Sequence, residues 1–194
     1  MIEMWFPTLI DVSVLDQFKP NNYSYAQCVY NVRDNSPKRT VDWKCDTFST
    51  LNLYDMKTDP LFSDLISVCA SQVKIFAKEY GADPNPVCTD SWLNLAPPKE
   101  YQEYHIHAMS HFSVVYYVKT PTDCGNICFR SPEANTDMFP ISVPGNTHTP
   151  ANFKTCTYTP QESMLLIFRS NLLHMVEKNK SNEDRISISM NFTV

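Results

Sequence analysis

The chain has 194 residues, a size typical of a single domain, and hydrophobic residues make up 43% of it, which argues against a disordered or fibrous protein. Its net charge of −5 and the absence of any Lys/Arg-rich run argue against a nucleic-acid partner. No stretch approaches 18 consecutive apolar residues, so the sequence predicts no membrane span.

Glycine and cysteine usage narrow the chemistry further. Three glycines cannot build a Gly-rich phosphate loop, which excludes nucleotide-dependent transfer by such motifs. The seven cysteines are an odd number at irregular spacing, and the N-terminus lacks the basic and apolar regions of a signal peptide. We therefore expect reduced thiols in an intracellular protein.

The pattern of apolar residues predicts one long helix among many short strands. Turn residues divide 1–60 into pieces that favour strands and loops, whereas 61–80 carries apolar residues at helical spacing between Pro60 and Gly81. The proline-rich segment 131–160 is predicted to be a loop or lid beside an active site. The sequence thus predicts a β-sandwich or barrel with helical buttressing. Its predicted strands after Gly81 are 89–95, 104–107, 112–119, 126–130, 164–168 and 185–192.

Three histidines have the spacing of a metal site. His105 and His107 lie two apart on a predicted strand and share its face with Glu103, and His174 follows a distant apolar strand. Three protein ligands that leave coordination positions open suit a reactive Fe(II) or a catalytic zinc. The alternative is two surface imidazoles and an unrelated core histidine, and the spacing does not decide between them.

A cationic side chain follows on the most regular strand. Arg185 and Ser187 share one face of 185–192, opposite to Ile186 and Ile188. If that polar face lines the interior, Arg185 is a buried cation, and its guanidinium could take a carboxylate in two hydrogen bonds. The alternative is an ion pair on a solvated strand face.

These residues carry a resemblance to a known family. The order His105-x-His107, then His174, then Arg185-x-Ser187 is similar to that of the 2-oxoglutarate- and Fe(II)-dependent oxygenases. The surroundings resemble the 2OG-Fe(II) oxygenase family found in marine bacteria and their phages. The matching pieces are Trp-Leu-Asn at 92–94, Tyr-His-Ile-His at 104–107, Ser-Val-Val-Tyr-Tyr-Val at 113–118, Leu-Ile-Phe-Arg-Ser-Asn-Leu-Leu-His at 166–174 and Arg-Ile-Ser-Ile-Ser-Met-Asn at 185–191.

The resemblance implies one mainly β domain over 1–194, a double-stranded β-helix (jelly-roll) with one long buttressing helix and shorter helical pieces. It implies Fe(II) held by His105, His107 and His174, and a hydroxylase that converts 2-oxoglutarate to succinate and CO2. Arg185 would bind the distal carboxylate of 2-oxoglutarate with help from Ser187, while Asn94 and Tyr117 would line the pocket. The substrate would be a small molecule or a protein side chain, and the protein would be cytoplasmic, in the host cytoplasm if phage-encoded.

Some positions depart from this pattern and keep alternatives open. His107 stands where the superfamily usually has Asp or Glu, so Glu103 is a second candidate for the carboxylate ligand. Val114 and Arg169 replace a Gly and a Pro that the family favours. A tri-histidine cupin-type dioxygenase that does not use 2-oxoglutarate and an inactive jelly-roll binding module are the alternative functions. The sequence does not specify the oligomeric state, and a homodimer is one option.

Overall fold

Ten strands and two α-helices make up the described part of the chain, which in this computed structural model comprises residues 1, 3, 5–36, 44–83, 85–135 and 149–194. The helices are α1 (Asn22–Asn35) and α2 (Pro60–Lys78), and 3₁₀ helices span Asp16–Asn21, Met56–Thr58 and Pro132–Asn135. The strands are β1 (Ile10–Val14), β2 (Phe48–Ser49), β3 (Val87–Ala96), β4 (Gln102–His105), β5 (Phe112–Lys119), β6 (Ile127–Arg130), β7 (Thr155–Tyr158), β8 (Met164–Arg169), β9 (His174–Val176) and β10 (Arg185–Thr193).

The strands form two antiparallel sheets. The larger sheet has the order β1-β8-β5-β10-β3-β2, and the smaller one has the order β4-β9-β6-β7. This is the predicted mainly β, double-stranded β-helix architecture, and the predicted strand over 112–119 coincides with β5. The predicted strand over 185–192 corresponds to β10, which extends to Thr193 and pairs with both β3 and β5 at the centre of the larger sheet.

Alternation along the central strands separates two cores. Ile186, Ile188 and Tyr116 are fully buried in the core between the larger sheet and the helices. Tyr117 belongs to the second core, between the two sheets, where Phe129 and Phe168 also lie. Because neighbouring residues of a strand point to opposite faces, Arg185 and Ser187 face the space between the sheets, so the polar face of β10 lines the interior.

Helix α2 confirms the predicted helix over 61–80. The Asp59 side chain accepts a hydrogen bond from the Leu61 backbone N–H (2.8 Å), and Pro60 occupies the first turn, where its missing N–H costs nothing. By length and composition α2 is apolar enough to cross a membrane. Its apolar stripe nevertheless packs in the core; the stripe comprises Phe62, Leu65, Cys69, Val73, Phe76 and Ala77.

The prediction of strands and loops over 1–60 is wrong for helix α1. This helix is largely polar and buries only Asn22, Tyr25 and Val29. Tyr25 stacks on Phe62 of α2, with ring centroids 5.0 Å apart. Tertiary packing of one narrow face therefore stabilises a helix that intrinsic propensity does not favour.

The predicted loop over 131–160 coincides only in part with the described residues. Residues 136–148 of this segment lie outside them. The described remainder contains a 3₁₀ turn and strand β7, which the loop prediction missed. No disulfide joins the cysteines of the described residues, and the reduced state stays a prediction.

Candidate metal and co-substrate site

Two strands of the smaller sheet bring the three histidines together. His105 is the last residue of β4 and His174 the first residue of β9, and the two are directly paired across the antiparallel ladder. His107 lies two residues beyond β4, and its backbone N–H donates to the Ser170 carbonyl (2.8 Å). One ligand atom from each imidazole lies within 4.8 Å of the others, so the three could hold one metal ion.

Hydrogen bonds fix the tautomers of the directly paired histidines. Nδ1 of His105 lies 2.7 Å from the Glu103 carbonyl oxygen, and Nδ1 of His174 lies 2.8 Å from the Leu172 carbonyl oxygen. A carbonyl oxygen only accepts, so Nδ1 carries the proton in both rings and Nε2 keeps its lone pair. This is how metal-binding histidines are commonly oriented in proteins.

Burial keeps the imidazoles neutral. It lowers the pKa of His105 to about 4 and lowers the pKa of His107. It holds the pKa of His174 well below its usual value, and repulsion between the imidazoles adds to the lowering at His105 and His174. Because a metal binds only the unprotonated imidazole, the three rings are ready to bind an ion near neutral pH.

Glu103 does not join the imidazoles. Its carboxylate accepts a hydrogen bond from the Lys44 backbone N–H (2.7 Å). Among the described residues, the cluster that could hold a metal contains the three histidines and not Glu103. The geometry therefore favours His107 over Glu103 as the third member of the site.

Arg185 is a buried cation at the start of β10. It is 5% exposed, and its Nη1 donates to the carbonyl oxygens of Cys124 (2.6 Å) and Glu177 (3.3 Å). No carboxylate of the described residues forms an ion pair with it, and burial lowers the pKa of its guanidinium. A buried, unpaired charge is costly, so this position favours an anionic ligand.

The loop that supplies one of these carbonyls needs glycine. Gly125 has φ +87°, and a Cβ at this residue would lie 2.4 Å from the Glu177 carbonyl oxygen. The absence of a side chain therefore lets the loop approach the end of β9 closely. This approach brings the Cys124 and Glu177 carbonyls to the same Arg185 nitrogen.

One cavity between the sheets is lined by all the site residues that the family resemblance implies, and Glu103 is not among its lining residues. Asn94 donates to Ser189 Oγ (3.0 Å) and accepts from the Trp92 indole (3.1 Å), so protein partners hold its amide. Burial raises the pKa of Tyr117, which keeps its phenol protonated. The lining of the cavity also includes the apolar side chains of Val115, Ile127 and Val176. The predicted residues that line the cavity are Asn94, His105, His107, Tyr117, His174, Arg185 and Ser187.

Sequence reasoning missed the residues that support His107. Its Nδ1 lies 2.7 Å from Asn191 Oδ1 and 2.9 Å from Ser113 Oγ. The indole of Trp92 lies against the same ring, with centroids 5.4 Å apart. The alternation that placed Arg185 inside the sandwich extends to Asn191 and could have indicated that residue. Ser113 could not be found in this way, because its role depends on pairing between β5 and β10.

The cavity of this double-stranded β-helix is lined by three imidazoles and by a guanidinium that has no carboxylate partner among the described residues, an arrangement suited to a metal ion and an anionic ligand. The model of the family described as "Putative 2OG-Fe(II) oxygenase" matches residues 90–191, more than half of the chain. The chain therefore belongs to this oxygenase family, whose members use Fe(II) and 2-oxoglutarate. No curated protein matches its sequence significantly.

Solved structures share the fold at low sequence identity. A Pseudomonas putida prolyl-4-hydroxylase is 13% identical with a TM-score of 0.64, over 96% of this chain and 92% of that one. The 2OG complex of a viral collagen prolyl hydroxylase from Paramecium bursaria Chlorella virus-1 is 12% identical with a TM-score of 0.62, over 95% and 96%. HygX from Streptomyces hygroscopicus, with nickel and 2-oxoglutarate bound, is 12% identical with a TM-score of 0.63, over 96% and 83%.

Proposed function

We propose that this protein is a dioxygenase that hydroxylates a C–H bond of its substrate. One molecule each of 2-oxoglutarate, O2 and substrate would give succinate, CO2 and the hydroxylated product. The observation that carries this proposal is the buried Arg185, which has no carboxylate partner among the described residues and lines the same cavity as the three imidazoles. A metal site alone would not explain this cation.

The residues of the cavity fit both Fe(II) and 2-oxoglutarate. His105, His107 and His174 would hold the iron, because they offer neutral nitrogen ligands from one cluster. Arg185 would hold the distal carboxylate, with the Ser187 hydroxyl nearby in the same cavity. Bound together, Fe(II) and 2-oxoglutarate supply the coupling of oxidative decarboxylation to oxidation of a substrate C–H bond.

The chain itself contributes orientation and charge. The Cys124 and Glu177 carbonyls hold one amino group of Arg185, which fixes the direction in which the guanidinium meets an anion. The apolar side chains of Val115, Ile127 and Val176 limit water in the cavity and strengthen this electrostatic contact. Because the three imidazole ligands are neutral, they would not offset the charge of the metal, and the anionic co-substrate would do so.

A small molecule or a protein side chain is the proposed substrate. The structural neighbours include prolyl hydroxylases and a HygX structure that contains hygromycin B. These neighbours support both substrate classes. The cavity lining includes Trp92, Gln102 and Thr47, which offer an aromatic surface and polar groups to either class.

The three imidazoles also support a second candidate, a tri-histidine dioxygenase that does not use 2-oxoglutarate. That function explains the cluster but leaves the buried Arg185 without a role. An inactive binding module would leave both features without a role. Iron content and succinate formation separate the three functions.

The test uses stoichiometric amounts of protein reconstituted anaerobically with Fe(II), then exposed to 2-oxoglutarate and O2, so that a single turnover is detected. The native protein should bind one iron and form succinate, and His174→Ala should do neither. His111→Ala is the matched control, because its ring contacts the Val194 backbone N–H instead of the cluster. Iron without succinate in the native protein would favour the tri-histidine alternative, and absence of iron would favour the inactive module.

A further inference from the structure

His107 is held differently from the other two histidines of the cluster. His105 and His174 each bond through Nδ1 to the backbone carbonyl two residues earlier. His107 instead bonds through Nδ1 to two side chains, Asn191 Oδ1 at 2.7 Å and Ser113 Oγ at 2.9 Å. The orientation of this ring therefore depends on residues that are distant in sequence.

The two contacts differ in what they impose on the ring. The amide oxygen of Asn191 only accepts, so it requires the proton of His107 on Nδ1 and leaves Nε2 with its lone pair. A serine hydroxyl can donate or accept, so Ser113 alone would tolerate either tautomer. Because the Ser113 hydroxyl also donates to Asn191 Oδ1 (3.0 Å), the amide oxygen orients both neighbours.

This support is buried and connected to the rest of the site. Asn191 and Ser113 are directly paired across β10 and β5, and they are 6% and 0% exposed. The Ser113 hydroxyl contacts the Ser170 hydroxyl (2.8 Å), which also accepts from Ser110 Oγ (3.0 Å). Ser170 in turn accepts the His107 backbone N–H and precedes the turn to His174. A buried network of this kind stays in place only when its members are satisfied.

We propose that Asn191, supported by Ser113, is a positioning residue that selects the Nδ1–H tautomer of His107 and so turns its Nε2 into the third metal ligand. The inference rests on the proposed function for the role of His107 as a ligand. The tautomer itself is a property of the metal-free protein, and it can therefore be tested without activity.

Long-range ¹H–¹⁵N spectra of the metal-free protein, labelled at histidine, report the tautomer of each ring. All three cluster histidines of the native chain should carry the proton on Nδ1. In Asn191→Leu, which removes the acceptor but keeps a side chain branched at the same carbon, the Ser113 hydroxyl becomes free to donate, and His107 should shift toward the Nε2–H form. Asn191→Asp keeps an acceptor oxygen and should restore the native tautomer, while His105 and His174 should be unchanged throughout.

Zn(II) titration against a competing chelator gives the consequence for metal binding. Asn191→Leu should bind Zn(II) about 10- to 100-fold more weakly, the usual cost of losing such a supporting contact. Asn191→Asp should recover the affinity, and Thr193→Val, two residues further along β10, is the matched control. If Asn191→Leu does not fold, Asn191→Ala removes the same acceptor and should show the same changes, whereas Ser113→Ala leaves the Asn191 acceptor in place and should keep the native tautomer.

Two results would overturn the inference. One is an unchanged His107 tautomer in Asn191→Leu, whatever happens to metal affinity, because the role would then be structural only. The other is a shifted tautomer with native Zn(II) affinity. Failure of the native chain to bind any metal would instead refute the proposed function, and the spectra would still report the tautomer.

Discussion

Replacing Arg185 by methionine should have opposite effects on two quantities, the stability of the protein without 2-oxoglutarate and its affinity for 2-oxoglutarate. Arg185 is 5% exposed, and the partners of its guanidinium in the described residues are two backbone carbonyls. A buried charge without an ionic partner carries a desolvation cost of several kcal/mol, and an apolar side chain of similar length does not carry this cost. We therefore expect Arg185→Met without 2-oxoglutarate to be at least as stable as the native protein.

The effect on 2-oxoglutarate binding should have the opposite sign. Truncating one partner of a buried, hydrogen-bonded charge pair costs about 2–5 kcal/mol. At 1.4 kcal/mol per factor of ten, this is about 30-fold to several thousand-fold weaker binding. Iron content should stay at the native level, because Arg185 is not a member of the imidazole cluster.

Thermal unfolding of the Zn(II)-loaded protein, with and without 2-oxoglutarate, measures both effects. At 100 times the native Kd, the co-substrate should stabilise the native protein by about 2.7 kcal/mol, which is about 5–11 °C in Tm for a chain of this size. A hundredfold loss of affinity would reduce this to about 0.4 kcal/mol. Arg33→Met, at an exposed arginine paired with Asp34, is the control. An undiminished 2-oxoglutarate shift in Arg185→Met would refute the role of this residue.

Two further predictions concern the Arg185 loop and the imidazoles. In Gly125→Ala, the added Cβ would clash with the Glu177 carbonyl. This variant should therefore lower the free energy of unfolding by about 1–3 kcal/mol and weaken 2-oxoglutarate binding, while iron binding is retained. Gly81→Ala also has a positive φ but nothing within 4 Å, so calorimetric titration should show native co-substrate affinity there; equal losses in both variants would contradict this. Metal-free protein should lose stability in urea as pH falls from 6.5 toward 4, because the unfolded chain protonates histidines that the fold keeps neutral. His105, with a folded pKa of about 4, should account for about 2 kcal/mol at pH 5, and a flat stability profile over this range would contradict the buried, neutral cluster.

The periodicity of apolar residues predicted those helices and strands whose pattern is strong within their own segment. The apolar stripe of α2 and the alternation of β10 are complete within their own segments, and the strand over 112–119 coincides with β5. Helix α1 lacks such a signal, since three buried residues among mostly polar ones resemble a loop. Strand β7 is four residues long within a proline-rich segment, too short for its alternation to stand out.

The sequence indicated the principal side chains of the candidate site but not the groups that hold those side chains in place. His105, His107, His174 and Arg185 were indicated by spacing and by a family resemblance, and the structure places them around one cavity. The tautomer contact of Asn191 depends on the register between distant strands. The carbonyls that hold Arg185 are main-chain groups, which carry no sequence signal, and only the close approach at Gly125 shows why they converge.

Anaerobic titration of the metal-free protein with Fe(II), then with 2-oxoglutarate, tests the central claim most directly. Stoichiometric iron binding should be followed by the visible charge-transfer band of the chelated co-substrate, and this band should be lost in Arg185→Met at co-substrate concentrations that saturate the native protein. Iron binding without a band would contradict the use of 2-oxoglutarate, and absence of iron binding would contradict the metal site formed by His105, His107 and His174.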